Sequence, residues 1–192
     1  VPLGILAALH RNSLVDRLAM GLAFVGQSAP SFFIGIMLIL LLSLRYNLLP
    51  SSGRGSWQQL VMPAITLSTG LLAILARMAR SSLLEAIGQD YVRTARAKGL
   101  SERRIIAAHC LRNAAIPVVT ITGMSVGTLI GGAAITETVF AWPGVGRLTV
   151  DAISSRDYPV IQLIVIAVAA TVVLANLAVD ITYGLLDPRI RR

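Results

Sequence analysis

An all-α, polytopic transmembrane bundle is the fold class this sequence predicts, and three observations carry it. Mean hydropathy is +0.75 over 192 residues, and only 14% of them are charged. A soluble domain carries about a quarter. Four runs, Leu18–Leu44, Gly55–Ala76, Asn113–Thr136 and Val160–Val179, contain no charge at all. Each is near or above the roughly 20 helical residues that cross a bilayer. In hydrocarbon each must be helical, because a backbone group without a partner costs several kcal/mol.

The elements follow in order. Val1–Leu9 is apolar but too short to cross. It lacks the basic start and cleavage site of a signal peptide, so it is read as the inner end of a span that begins before Val1, giving about four complete spans plus a partial one. Leu18–Leu44 is a span interrupted by Gln27-Ser28-Ala29-Pro30-Ser31. Pro30 removes a backbone donor and is expected to kink the helix. The span after Asn113 carries Gly123, Gly127 and Gly131 at four-residue spacing. They share one face, where another helix can approach closely. That face serves either packing within the chain or a seam that moves or meets a second subunit.

Charge sets the orientation. His10–Arg17, Arg77–Arg112 and the tail hold thirteen of the seventeen basic residues, against four in Arg45–Arg54 and Glu137–Asp157. By the positive-inside rule the first group faces the cytoplasm. A net charge of +8 would suggest nucleic acid in a soluble protein. Here the basic residues flank apolar spans, so no nucleic-acid partner is expected.

The stretch 81–112 is the most informative. Leu84, Ile87, Tyr91 and Ala95 fall on one side of a helix expected from about Ser81 to Lys98. Gly99 suits a C-cap and Ser101 an N-cap, with Glu102 in the next first turn. The second helix is expected to reach about Arg112, with Pro117 near the start of the following span. The prediction is a charged helix–Gly-Leu-Ser–helix hairpin. It either lies on anionic headgroups or plugs a groove on a soluble protein; the tight turn favours the plug.

Other chemistry is sparse. Glu137 and Asp180 are acids at or near spans, where ionisable groups mark pathways, though a salt bridge or an interfacial anchor fits either. Trp142-Pro143-Gly144 signals a turn, and Val145–Ser155 a short surface helix, in an extracytoplasmic loop, 137–157. His109 and Cys110 are neighbours on a helix and face different directions. No metal site, catalytic constellation or cofactor site is expected. The phosphate cradle Gly-x-x-x-x-Gly-Lys-[Ser/Thr] does not occur.

The hairpin resembles the cytoplasmic signature loop of ABC-importer permeases: Glu-Ala-Ala, three residues, Gly, nine residues, Ile, one residue, Leu-Pro. Gly99, Ala95 and Leu111 match that form. Arg93, Thr94, His109 and Arg112 depart from it. The departures resemble the dipeptide/oligopeptide/nickel branch, as do Asp90–Leu100, Leu111-Arg112-Asn113-Ala114, Glu137-Thr138-Val139-Phe140, Trp142–Gly146, Arg156-Asp157-Tyr158-Pro159 and the ending Tyr183–Arg191. The ending is similar to the first of the two permeases such importers have.

The resemblance implies a single permease domain in a prokaryotic plasma membrane. Its partners would be a second permease, two ATP-binding subunits holding ATP and Mg, and an extracytoplasmic solute-binding protein. Tyr91, Arg93, Thr94, Ala95, Arg96, Lys98, Gly99, Leu100, Ser101 and Leu111 would meet the ATPase. Glu137, Pro30 and Gly127 are candidates for the solute path or outer gate. A proton-coupled secondary transporter using Glu137 or Asp180 is the alternative, and the cargo stays open among dipeptides, oligopeptides, glutathione-like compounds and nickel chelates.

Overall fold

Proline and glycine mark several of the helix ends in this chain. In the computed structural model, which describes residues 1–186, α1 (Pro2–Leu9) opens with Pro2 in its first turn, where a missing N–H costs nothing. Asn12, with φ 63°, reverses the chain. Ser13 then accepts the Asp16 backbone N–H at 3.3 Å and starts α2 (Leu14–Ser28).

Pro30 does more than kink a span. It adopts an extended conformation (φ −59°, ψ 140°) and caps α3 (Ser31–Leu38), which continues as a π-helical stretch, Ile39–Arg45. The axes of Leu14–Ser28 and Ser31–Arg45 differ by 103°. The single kinked span expected over Leu18–Leu44 is therefore a broken pair. A proline also drives the residue before it out of the helical region, so the helix stops instead of bending.

Among the described residues three helices are long and apolar enough to cross a membrane, or four spans if the bent pair counts as one. The first is α4 (Trp57–Ile87), which tolerates Pro63 in its second turn. It passes the expected end at Ala76 without interruption and runs into the charged region. The second combines α6 (Glu102–Ile105), a π-helical stretch (Ile106–Cys110) and α7 (Leu111–Val139) into 38 continuous residues, with Pro117 inside. The third is α9 (Tyr158–Leu186). Two short helices complete the set, α5 (Asp90–Ala97) and α8 (Val145–Ser154). The tail block Asp187–Arg191 lies outside the described residues.

The chain divides into two compact units. One comprises Val1–Val25, Leu72–Met124 and the described residues from Asn176. Its core gathers Ala8, Leu83, Ala86, Val92, Ala95, Ile105, Cys110 and Ala114. A smaller cluster holds Ala23, Ala73 and Ala76. The alanines let α1, α2 and α4 approach closely, and Gly4 lies so near the Ala76 carbonyl that a Cβ would overlap it. Gly123 likewise meets Val179 of α9.

The other unit is Gly26–Leu71 with Ser125–Ala175. Its most buried side chains are Phe140, Met62, Thr66 and Thr136. Gly35 makes room for the Phe140 ring, which a Cβ would meet at 3.2 Å. Gly127 sits opposite Val172 of α9, and Gly131 faces open space. Two of the three stacked glycines thus serve packing within the chain.

Candidate functional site

The charged hairpin is built from one more break than the sequence suggested. Instead of one helix over 81–98, α4 ends at Ile87, Gly88 and Gln89 turn the chain, and α5 begins at Asp90. Gln89 is extended (φ −74°, ψ 153°) and serves as the N-cap. The break resets the helical phase. Of the expected stripe of Leu84, Ile87, Tyr91 and Ala95, only Ala95 is in the buried set, which is Leu83 and Ala86 before the break and Val92 and Ala95 after it. Leu84 and Ile87 pack at its margin, and Tyr91 is 37% exposed.

The tip is a Schellman turn. Gly99, with φ +77°, donates to the Arg96 carbonyl at 2.9 Å, and Leu100 donates to the Ala95 carbonyl at 3.2 Å. Leu100 then folds its side chain onto the core. Ser101 occupies the N-cap position of α6 (φ −68°, ψ 144°) as expected, and its carbonyl receives the Ile105 N–H at 3.0 Å. Its hydroxyl makes no capping bond.

Three braces close the hairpin on itself. At the tip the Arg96 guanidinium forks onto Glu102, with Nε to Oε1 at 2.6 Å and Nη2 to Oε2 at 3.2 Å. That hydrogen bonding raises the Arg96 pKa further above its usual value. In the middle Val92, Ile105 and Cys110 are fully buried. At the base Asn113 donates from Nδ2 to the Tyr91 hydroxyl at 3.1 Å. Asp90 in the first turn and Arg96 in the last complement the α5 dipole.

The structure thus sorts the sequence-predicted residues. Ala95, Leu100 and Leu111 belong to the hairpin's own packing. Tyr91 and Arg96 brace it. Arg93, Thr94, Lys98, Gly99 and Ser101 are left facing outward. A stiff frame with cationic and small polar groups on its rim can recognise a complementary surface, but it holds no nucleophile–base pair. Among the described residues no group of three His, Cys, Asp or Glu can bind a metal ion.

The second region of interest is the 137–157 loop. Glu137 turns its carboxylate to the start of α8, accepting the Arg147 N–H at 2.7 Å and lying against Gly144. Its carbonyl accepts the Trp142 N–H at 2.8 Å. A carboxylate at a helix N-terminus satisfies orphan donors and the dipole together. Glu137 is therefore engaged in holding the loop. Pro30 stands at the α2–α3 break, Gly127 packs on Val172, and Asp180 is exposed on α9.

Sequence reasoning missed one contact. Asp16, 4% exposed, receives Arg80 at both oxygens, Nε to Oδ1 at 2.6 Å and Nη2 to Oδ2 at 2.7 Å. The local signal was present, since Ser13-Leu14-Val15-Asp16 is a capping-box pattern ahead of an apolar run.

Fold and site together define a multi-pass helical membrane protein that presents a rigid, basic hairpin between two of its spans. The chain belongs to the family of binding-protein-dependent transport system inner membrane components, whose profile matches residues 1–192. It is similar to the dipeptide transport system permease protein DppB of Escherichia coli K12, with 47% identity over 222 aligned positions, covering 100% of this chain and 66% of that protein. It is also similar to the glutathione transport system permease protein GsiC of the same strain, with 46% identity over 188 positions, covering 98% of this chain and 61% of GsiC. The di/tripeptide permease DppB of Pseudomonas aeruginosa UCBPP-PA14 is 47% identical, over 98% of this chain and 64% of its own length. The chain thus spans just under two thirds of the curated relatives it matches. Its fold is shared with a chain of the MetNI methionine ABC transporter in an inward-facing structure, at a TM-score of 0.75, with 21% identity and coverage of 97% of this chain and 85% of that one.

Proposed function

We propose that this chain is a permease subunit of an ATP-driven importer for dipeptides or closely related small peptides. It forms half of a translocation path with a second permease, beneath which two ATPase subunits receive the hairpins. A solute-binding protein supplies cargo from the other side. The observation that carries this reading is the 46–47% identity to peptide and glutathione permeases along essentially the whole chain.

The physics of the hairpin supports it. A loop that transmits displacement has to be stiff. This one is held by a buried core, a Schellman turn and the Arg96–Glu102 fork, and it keeps its outward face polar. The charge asymmetry of the sequence supports a cytoplasmic side for the hairpin and tail, within reach of ATP. ATP and Mg belong to the partner subunits in this reading, which is consistent with a sequence that carries no phosphate cradle in these residues. Longer oligopeptides and nickel chelates are secondary cargoes within the same branch.

The test is reconstitution of the full-length protein with its partner subunits in vesicles. Uptake of alanyl-alanine, glutathione, a pentapeptide and a nickel–histidine chelate is compared with and without ATP and with the proton gradient collapsed. The reading expects ATP-dependent uptake of the small peptides that survives loss of the gradient. Uptake that follows the gradient and ignores ATP rejects it.

A further inference from the structure

The hairpin's fixed base raises the question of what the rest of the protein does with its motion. Among the described residues Asp16 is the one buried charged residue. Its carboxylate is saturated: Arg80 forks onto both oxygens at 2.6 and 2.7 Å, and the Asn12 N–H donates to Oδ2 at 2.9 Å. The geometry is bidentate, which fixes orientation as well as distance. Arg80 keeps 25% of its side chain exposed and Asp16 only 5%. The pair joins residues 64 positions apart and ties the start of α2 to α4 two turns before α4 ends.

The packing around it points the same way. Gly4 and Ala76 put the α1 and α4 backbones in direct contact, and Ala7 and Ala8 are buried. Ala8 belongs to the same core as Leu83, Val92, Ala95 and Ile105. The α1–α2 elbow, the end of α4 and the hairpin therefore form one packed block, and the ion pair is its polar fastening. From that block α2 leads to the break at Pro30.

We infer that Asp16 and Arg80 are positioning residues for energy coupling: their closed pair makes the hairpin and the α1–α2 elbow move as one body, so that displacement of the hairpin reaches the broken α2–α3 pair. This inference rests on the importer reading above. With the pair opened, a buried charge loses its partner, the elbow loosens on α4, and hairpin motion dissipates in α4.

The test uses the full-length protein in its reconstituted complex, with alanyl-alanine and glutathione as cargoes, and reads uptake per ATP hydrolysed. Asp16→Asn and Arg80→Met are expected to assemble and hydrolyse ATP while losing about tenfold in uptake per ATP. Arg80→Lys, which keeps the charge and loses the fork, falls between. The double variant Asp16→Asn/Arg80→Met regains part of the loss, because no charge is then left unpaired. An unchanged ratio in the single variants overturns the inference. So does loss of assembly in every variant, Arg80→Lys and the double included, which would make the pair a folding element only. Failure of the wild-type complex to import either peptide with ATP overturns the importer reading and this inference with it.

Discussion

Two turns of this chain depend on glycine for opposite reasons. At the hairpin tip Gly99 has φ +77° and nothing within 4 Å of where a Cβ would stand. It is there for a backbone conformation, and the space around it is open. In the 137–157 loop Gly144 and Gly146 have no positive φ. A Cβ on Gly146 would come within 2.5 Å of the Ala134 backbone, and one on Gly144 would overlap the Glu137 carboxylate. These glycines are there for space. The first turn is thus set by backbone conformation with open space around it, whereas the second is already filled by its own chain.

Gly146 gives the largest effect. Gly146→Val forces α8 off Ala134, whose backbone cannot yield, and overpacking of that kind costs about 1–3 kcal/mol or more. A detergent-solubilised variant is expected to melt well below the wild type. Asparagine at this position is expected to be equally harmful, since it brings a Cβ too. A Gly146→Asn protein that melts like the wild type would show that α8 is free of α7.

Gly99 follows. Gly99→Val puts a β-branched residue in the left-handed region at a cost of about 1–2 kcal/mol, without a clash. Insertion is expected to persist and melting to fall by less than in Gly146→Val, while ATP-coupled uptake of alanyl-alanine is lost. Gly99→Asn is expected to restore most uptake, because asparagine tolerates that region. The asparagine pair, tolerated at 99 and harmful at 146, separates conformation from space.

The difference between the turns also explains what could be read in the sequence. Gly99 and Ser101 were legible because the need for a left-handed residue, and for a cap after it, is local. The spans were legible because hydrocarbon leaves the backbone no alternative to helix. The hairpin's buried face was misplaced because Gly88–Gln89 resets the phase, and a glycine inside an apolar periodicity does not announce whether the helix ends there. At Pro30 the disturbance was legible but not its extent, since a 103° bend is set by what the two halves pack against. The Asp16–Arg80 pair lay half in view. Its capping box is local, but a partner 64 residues away is fixed only by the fold.

Glu137 sharpens the comparison at a smaller scale. Its carboxylate caps α8 through the Arg147 N–H, so Glu137→Ala is expected to destabilise the loop by about 1 kcal/mol, as loss of a cap does. Glu137→Gln keeps an acceptor and is expected to lose less. Both variants are expected to retain ATP-driven uptake, measured in vesicles at neutral pH. Complete loss of uptake in Glu137→Gln with unchanged melting would instead favour a proton-carrying role.

The smallest effect belongs to the Arg96–Glu102 fork, the hairpin's counterpart of that cap. Both side chains are well exposed, at 44% and 59%, so water and salt screen them. Beneath them Val92, Ile105 and Cys110, fully buried, carry most of the hairpin's stability. Arg96→Ala is therefore expected to leave the melting transition within experimental scatter. The fork matters for where the tip points, because it ties the last turn of α5 to the first turn of α6 across Gly99. Crosslinking from Lys98→Cys to the ATPase subunit is the measurement that separates these effects. Its yield is expected to fall modestly in Arg96→Ala, and in the parent to fall as salt is raised. A large drop in melting temperature would mean that the tip stabilises the hairpin, and that the contrast with the self-filled turn at Gly146 is one of degree only.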